Sequence, residues 1–151
     1  MTITPDFLFS LANALALPGW ALLVLAPRWR GTRALVLSGA WPLGLAVLYA
    51  VFITIHYLGA HGSEGGFGSL AQVAALFHDP WALLAGWVHY LCFDLWVGAW
   101  EVRDAQRRGV PHWALVPALA LTFLLGPVGL LVYCGARAAL GQKALAKPSI
   151  A

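Results

Sequence analysis

Two ionisable side chains, His89 and Asp94, lie in the middle of an otherwise apolar stretch that runs from Trp81 to Asp104. A charged side chain at the centre of a membrane helix costs about 2.5–3.5 kcal/mol on insertion scales, so such residues usually mark a functional site. Because hydrocarbon favours the neutral form of a carboxyl group, Asp94 can serve as a proton donor. His89 lies about 7.5 Å away along a helix axis and can serve as a base. The pair predicts acid/base chemistry beside a long apolar substrate.

The acidic residues of this stretch share one face of the predicted helix. At about 100° per residue, Asp94, Glu101 and Asp104 fall in one sector that also contains Tyr90, and His89 borders that sector. We expect this face to point into the helix bundle. Glu101 is therefore a third candidate catalytic residue, although pairing with the arginines of the following turn is the alternative for Glu101 and Asp104. The residues expected to support the site structurally are Tyr90, Trp87, Asp104, His56, Gly126 and Pro127.

Three alternatives remain open for these polar residues. Asp94 can hold helices together through hydrogen bonds without any catalytic role. A metal site needs ligands from several helices, because Asp94 and Glu101 lie about 10.5 Å apart along the axis, and His56 and His78 are the further candidates. Haem needs two axial histidines at matching depth, for which His56 and His89 are the candidates. The sequence itself predicts no cofactor, and a metal or haem stays an open alternative.

The composition indicates a membrane protein. The 151 residues are 61% hydrophobic and only 10% charged, whereas soluble domains carry about 25% charged residues. The length predicts one domain, residues 1–151. The net charge of +3 does not indicate nucleic-acid binding, because the basic residues lie between apolar runs rather than on one face. The lipid bilayer is the expected partner, and the oligomeric state is not determined.

Four apolar runs are each long enough to cross a bilayer. They predict an all-α, four-transmembrane-helix bundle with a short amphipathic helix in the long loop between the second and third spans. Asp79 and Pro80 have the residue types of an N-cap and a first helical position, so we expect the third helix to begin there. Gly126 and Pro127 interrupt the fourth run, where they predict a kink and close helix packing. The predicted spans are about 7–26, 34–58, 81–102 and 113–134.

The distribution of basic residues predicts the orientation. Both short loops carry three arginines each, whereas the long loop carries no lysine or arginine. By the positive-inside rule the short loops are cytoplasmic and the N-terminus is outside. A basic tail with Arg137, Lys143 and Lys147 conflicts with this topology, because four spans place it outside.

Three segments resemble the abscisic acid deficient 4-like family of small integral membrane proteins, which includes the plant neoxanthin synthases. They are LPGWALLVLAPRWR (17–30), GWVHYLCFDLWVGAWEVRDA (86–105) and PALALTFLLGPVGLLVY (117–133). The paired motifs are His-x4-Asp-Leu in one span and Gly-Pro-x-Gly-Leu-Leu in the next. The resemblance implies a four-span protein of xanthophyll metabolism. Compared with the plastid members of that family the chain lacks a transit peptide, so the resemblance implies a bacterial protein, and we expect it in the cytoplasmic (inner) membrane.

In plants, this family's reaction converts the epoxide violaxanthin into the allenic neoxanthin. That isomerisation opens an epoxide and removes a proton without net redox change. It needs a proton donor and a proton acceptor beside a polyene, and Asp94 and His89 are our candidates for these roles. The resemblance, together with this pair of residues, therefore implies an isomerase that acts on a carotenoid or another long apolar lipid. The alternative is a membrane protein that binds a pigment or partner without catalysis.

Overall fold

The computed structural model describes residues 4–58 and 65–141. Within these ranges the regular structure is entirely helical, which confirms the predicted all-α class. The glycine-rich start of the long loop (59–64) and the tail lysines Lys143 and Lys147 lie outside the described residues. In chain order the elements are α1 (Pro5–Leu25), α2 (Arg30–Thr32), a π-helical segment (Arg33–Leu37), α3 (Ala40–Leu58), α4 (Leu70–Leu76), α5 (Pro80–Arg108), α6 (His112–Leu125) and α7 (Pro127–Leu140).

Three helical stretches are long and apolar enough to cross a membrane. They are α1, the continuous run Arg30–Leu58 that ends with α3, and α5. Helices α6 and α7 have 14 residues each, which is about 21 Å and shorter than the roughly 30 Å hydrocarbon core. The four-span count is therefore not confirmed.

Helix α5 is the central element, and α1 runs parallel to it. Near the start of both helices, the indole nitrogen of Trp87 donates to Asn13 at 3.2 Å. Further along, Gly98 lies against the ring of Trp20, which needs the space that a Cβ atom would fill. At the far end, the amide of Gln106 donates to the carbonyl of Pro27 at 2.9 Å.

Helix α3 runs antiparallel to α5. Its last turn meets the start of α5, where His56 and Asp79 approach to 3.0 Å. At its beginning, the Cys92 thiol donates to the carbonyl of Pro42 at 3.2 Å. The ends of α1, α3 and α5 therefore alternate between two sides of the bundle, as expected for three successive crossings.

Asp79 determines where α5 begins. Its carboxylate accepts hydrogen bonds from the N–H groups of Trp81 and Ala82, each at 2.9 Å, and Pro80 occupies the first turn. Partial burial raises the pKa of Asp79, but these N–H groups and the neighbouring His56 outweigh it, so its pKa lies below the ordinary value of 3.8. The N-cap expected from the sequence is thus formed, with His56 as its partner from α3.

The predicted fourth span, 113–134, differs in the structure. The chain reverses at Gly126, so that α6 and α7 form an antiparallel hairpin beside α5. Helix α6 ends where Gly126 meets Asp94, and α7 then returns toward the end of α5, where Tyr133 contacts Asp104. At the end of α7, Gly141 lies beside Val110. Since Asp94 is the central residue of α5, the hairpin reaches only half of the length of α5.

The Gly-Pro-x-Gly motif explains the reversal. Gly126 has φ +48° and ψ −98°, a conformation that side chains rarely adopt. Pro127 follows as the first residue of α7, a position in which its missing N–H costs no hydrogen bond. A Cβ atom on Gly129 would collide with the backbone nitrogen of Thr122. The motif therefore builds a tight turn between two helices in backbone contact, instead of the predicted kink in one helix.

The hairpin predicts that the end of α7 lies on the same side of the membrane as α2. In a variant with Cys92→Ala and Cys134→Ser, we expect a cysteine at Ala138 to react with a membrane-impermeant maleimide from the same side as a cysteine at Arg30. A cysteine at Tyr57 should react from the opposite side. Labelling in sealed vesicles of known orientation measures this. Reaction of positions 138 and 57 from one side would instead support four crossings.

Candidate functional site

The hairpin tip meets the polar face of α5 at the middle of the bundle. Oδ1 of Asp94 lies 2.9 Å from the point that a Cβ atom on Gly126 would occupy. One turn earlier, the hydroxyl of Tyr90 donates to the carbonyl of Phe123 at 3.2 Å. Asp94 is half-buried, and its Oδ2 is buried and accepts no hydrogen bond from any described residue. The hairpin tip therefore holds a carboxyl group with one buried oxygen that has no hydrogen-bond partner among the described residues.

Glu101 lies two turns further along α5, completely enclosed between α5 and α6. Its exposed fraction is 0%, and Oε1 accepts a hydrogen bond from the hydroxyl of Thr122 at 2.9 Å. Its Oε2 is buried and accepts no hydrogen bond within the described part of the chain. Burying an ionised carboxylate costs free energy, so hydrophobic packing does not account for the presence of Glu101 at this position.

Asp104 continues the same face but has a full set of partners. It accepts a hydrogen bond from the hydroxyl of the fully buried Tyr133 at 2.8 Å and pairs with Arg108 at 3.0 Å. Arg137 of α7 lies 3.4 Å from it and stacks over Trp100. Asp104 therefore links α5 to α7.

His89 does not join the acidic face. Its side chain is exposed on the outside of the bundle, where it contacts the ring of Phe93 (centroids 4.5 Å apart) and the ring of Tyr49 on α3 (5.5 Å). Five residues separate it from Asp94, so the two side chains point in directions about 140° apart. The structure thus brings Asp94 and Glu101 to the hairpin and leaves His89 facing the lipid.

His56 lies at the far end of α3, buried beside Asp79. That contact is ten residues, or about 15 Å along α5, from His89. The two histidines are therefore not at matching depth for haem ligation. In residues 4–58 and 65–141, no group of three or more His, Cys, Asp or Glu is placed to hold a metal ion.

An aromatic surface extends from Asp94 toward the start of α5, beyond the hairpin tip. The ring of Trp87 lies 5.3 Å from Phe9 and 5.4 Å from Tyr90, and its indole nitrogen donates to Asn13. Phe9 and Trp87 are 43% and 38% exposed. Because the hairpin ends at Asp94, these side chains face the membrane. We call the surface formed by Phe9, Asn13, Trp87 and Tyr90, with Asp94 at its inner end, the aromatic recess.

Several of these contact residues were not singled out from the sequence. Thr122 is the only polar side chain between Trp113 and Leu125, and that isolation is a signal for an interhelical hydrogen bond. Phe9 carries no comparable signal, because only the parallel packing of α1 on α5 brings it to Trp87.

The comparisons with known proteins agree with the resemblance described above. The family model described as ABA DEFICIENT 4-like matches residues 7–133. Neither a curated protein nor a solved structure matches the chain. The matched range runs from the first turns of α1 to Tyr133 and includes the aromatic recess, the three carboxylates of α5 and the hairpin tip. The chain therefore belongs to the ABA DEFICIENT 4-like family.

Proposed function

We propose that this protein is a membrane-embedded isomerase of a carotenoid or another long apolar lipid, with Asp94 as its acid/base group. The observation that carries the proposal is the position of Asp94. Its carboxyl group lies at the middle of the longest helix, at the tip of a half-length hairpin and at the inner end of the aromatic recess. An ionisable residue at that depth is a functional candidate by default.

The recess suits a long unsaturated chain. Its rings present flat, polarisable faces that stack on conjugated systems, and the exposed faces of Phe9 and Trp87 are accessible from the bilayer. It begins near the outer turns of α1 and α5 and ends at Asp94, about half the membrane thickness away. A polyene lying in the recess would place one of its polar end groups either at the membrane surface or at the carboxyl group of Asp94.

The chemistry requires a group that both gives and takes a proton. In an epoxide isomerisation, the neutral acid of Asp94 donates its proton to the epoxide oxygen as the C–O bond breaks. The carboxylate then accepts a proton from a neighbouring carbon, and the electrons of that C–H bond form the new double bond. The product carries a hydroxyl group, Asp94 is again a neutral acid, and no electron acceptor is consumed.

Glu101 and His89 take different places in this proposal. Glu101 is enclosed beside Thr122 and does not reach the recess, so it acts as a positioning residue for the hairpin. His89 faces lipid beside Tyr49 and Phe93, so the base suggested by the sequence is not required. The carboxyl group of Asp94 carries out both proton transfers in this proposal.

The proposed orientation has the N-terminus outside. All seven described arginines lie at one end of the bundle: Arg28 beside the α5–α6 turn, Arg33 beside Arg103 and Arg107, Arg108 and Arg137 on Asp104, and Arg30 in α2. The positive-inside rule makes this end cytoplasmic. Because α7 returns to the same end, Arg137 lies on the same side as the loop arginines and does not conflict with this orientation. We propose the bacterial cytoplasmic membrane as its location.

The test begins with what the protein carries. We expect protein extracted from its native membrane in mild detergent to show polyene absorbance, with the pigment identified by mass spectrometry. The purified protein in liposomes should then convert a carotenoid epoxide to its isomer of equal mass. Trp87→Ala should reduce pigment retention and turnover, whereas Trp113→Ala, at an exposed site outside the recess, should not. No conversion of any co-purified or related polyene would contradict the proposed enzyme.

A second candidate is a pigment-binding protein without catalysis. It is favoured by the contacts that tie the hairpin to α5, from Tyr90 to the Phe123 carbonyl and from Thr122 to Glu101, because they give the polar face a structural role. This alternative predicts retained polyene without turnover. Asp94→Asn should leave the pigment content unchanged under both proposals, so turnover is the measurement that separates them.

A further inference from the structure

We propose that a cleft at the arginine-rich end of the bundle binds a phosphate-bearing anion. The cleft has a volume of about 330 Å³ and lies between the π-helical segment and the last turns of α5. Its lining residues are Arg33, Leu37, Ser38, Arg103, Gln106 and Arg107. Three arginines thus line one open cleft, which is an arrangement that suits phosphate because each guanidinium group can offer several N–H donors.

Within the described part of the chain, the three cleft arginines have no counter-ion. Arg108 and Arg137 pair with Asp104 at the same end of the bundle. In contrast, no ion pair to Arg33, Arg103 or Arg107 occurs among the described residues, and the cleft lining contains no carboxylate. Like charges held together are destabilising unless an anion lies between them. The carboxylate of Asp104 thus pairs with Arg108 and Arg137 instead. The cleft therefore keeps a net positive charge.

The cleft is built on fixed backbone. Arg103 donates to the carbonyl of Leu37, within the π-helical segment, and is half-buried there. Gln106 is held by its bond to the Pro27 carbonyl. Arg107 follows Arg103 by four residues, so both lie on one face of α5. The positive-inside rule accounts for arginines at this end, but it does not require them to converge on one cleft.

The depth of the cleft matches lipid headgroups. Arg103 and Arg107 lie nine and thirteen residues beyond Asp94, or about 13.5 and 19.5 Å along the axis. With Asp94 at the midplane, the hydrocarbon core ends at about 15 Å. The guanidinium groups therefore lie where lipid phosphates are found, and an anionic phospholipid is one source of the phosphate. Free phosphate from the aqueous side is the other.

The experiment compares two double variants of equal charge. Arg33→Gln with Arg107→Gln removes two cleft arginines but keeps Arg103, which ties α5 to Leu37. Arg28→Gln with Arg30→Gln removes two arginines outside the cleft. Native mass spectrometry of the detergent-solubilised protein measures retained phosphatidylglycerol, with phosphatidylcholine as the zwitterionic comparison. Thermal unfolding verifies that both variants fold.

We expect the cleft variant to bind phosphatidylglycerol about tenfold more weakly, as for the loss of charge-assisted hydrogen bonds at a partly exposed site. The control should bind like the unmodified protein. Titration with inorganic phosphate identifies the source of the bound phosphate. Displacement of the lipid would support free phosphate as the ligand, and retention of the lipid would support a phospholipid headgroup. Equal loss in both variants, or equal affinity for the two lipids in the unmodified protein, would overturn the proposal.

Discussion

Replacing Asp94 with asparagine is expected to lower turnover by about 10²- to 10⁴-fold, the usual contribution of a general acid/base group. Asparagine keeps the shape of the side chain and its place against Gly126, but it cannot donate and recover a proton. The rate constant for conversion of the identified polyene in liposomes is the measurement. The pigment content of the purified variant should remain close to that of the unmodified protein, because the recess is unchanged.

His89→Ala is the matched control for that experiment. Its side chain lies on the same helix but faces lipid beside Phe93, so we expect turnover within about threefold of the unmodified protein, in the range of effects that a group outside the reacting centre produces. A large loss in His89→Ala together with full activity in Asp94→Asn would reject Asp94 as the acid/base group. It would restore the histidine as the reacting base.

Gly129→Ala is expected to destabilise the protein by about 3 kcal/mol, at the upper end of the cost of overpacking a core. A Cβ atom at this position would meet the backbone nitrogen and the hydroxyl of Thr122. Neither can move without opening the hairpin, because the hydroxyl is bonded to Glu101. Reversible unfolding in detergent, followed by circular dichroism, measures the change in the free energy of unfolding.

Gly135→Ala provides the comparison within the same helix. A Cβ atom on Gly135 has no neighbour within 4 Å, so the substitution should stabilise the helix by up to about 1 kcal/mol through the higher helix propensity of alanine. If the two glycines responded alike, α6 and α7 would not be in backbone contact. The hairpin itself would then be in question.

Much of the molecule could be inferred from residue pattern. Hydropathy and the scarcity of charge indicate helices in a membrane, because only regular, internally hydrogen-bonded segments are stable there. Asp79 followed by Pro80 marks the start of α5, because both residue types act locally on the first turn. The 3.6-residue period places Asp94, Glu101 and Asp104 on one face. The motifs of α5 and the hairpin also sufficed to identify the family.

The course of the chain after α5 was decided only by tertiary structure. The run from Trp113 to Cys134 is as apolar as a spanning helix, and Gly126-Pro127 is compatible with either a kink or a reversal. The reversal is stabilised by contacts with distant residues, from Thr122 to Glu101 and from Tyr133 to Asp104. A hydropathy pattern contains no information about such pairs, so it predicted a fourth span.

Tertiary structure also decided which polar residues meet. The sequence determined that His89 and Asp94 lie close along one helix, but a helix with neighbours on several sides can direct two such residues to different surroundings. Here α6 and α7 cover the carboxylates, while His89 lies toward α3 and the lipid. The convergence of Arg33 with Arg103 and Arg107 likewise depends on how α3 packs on α5. Residue types and helical period determine what each face offers, and packing between distant segments determines what that face contacts.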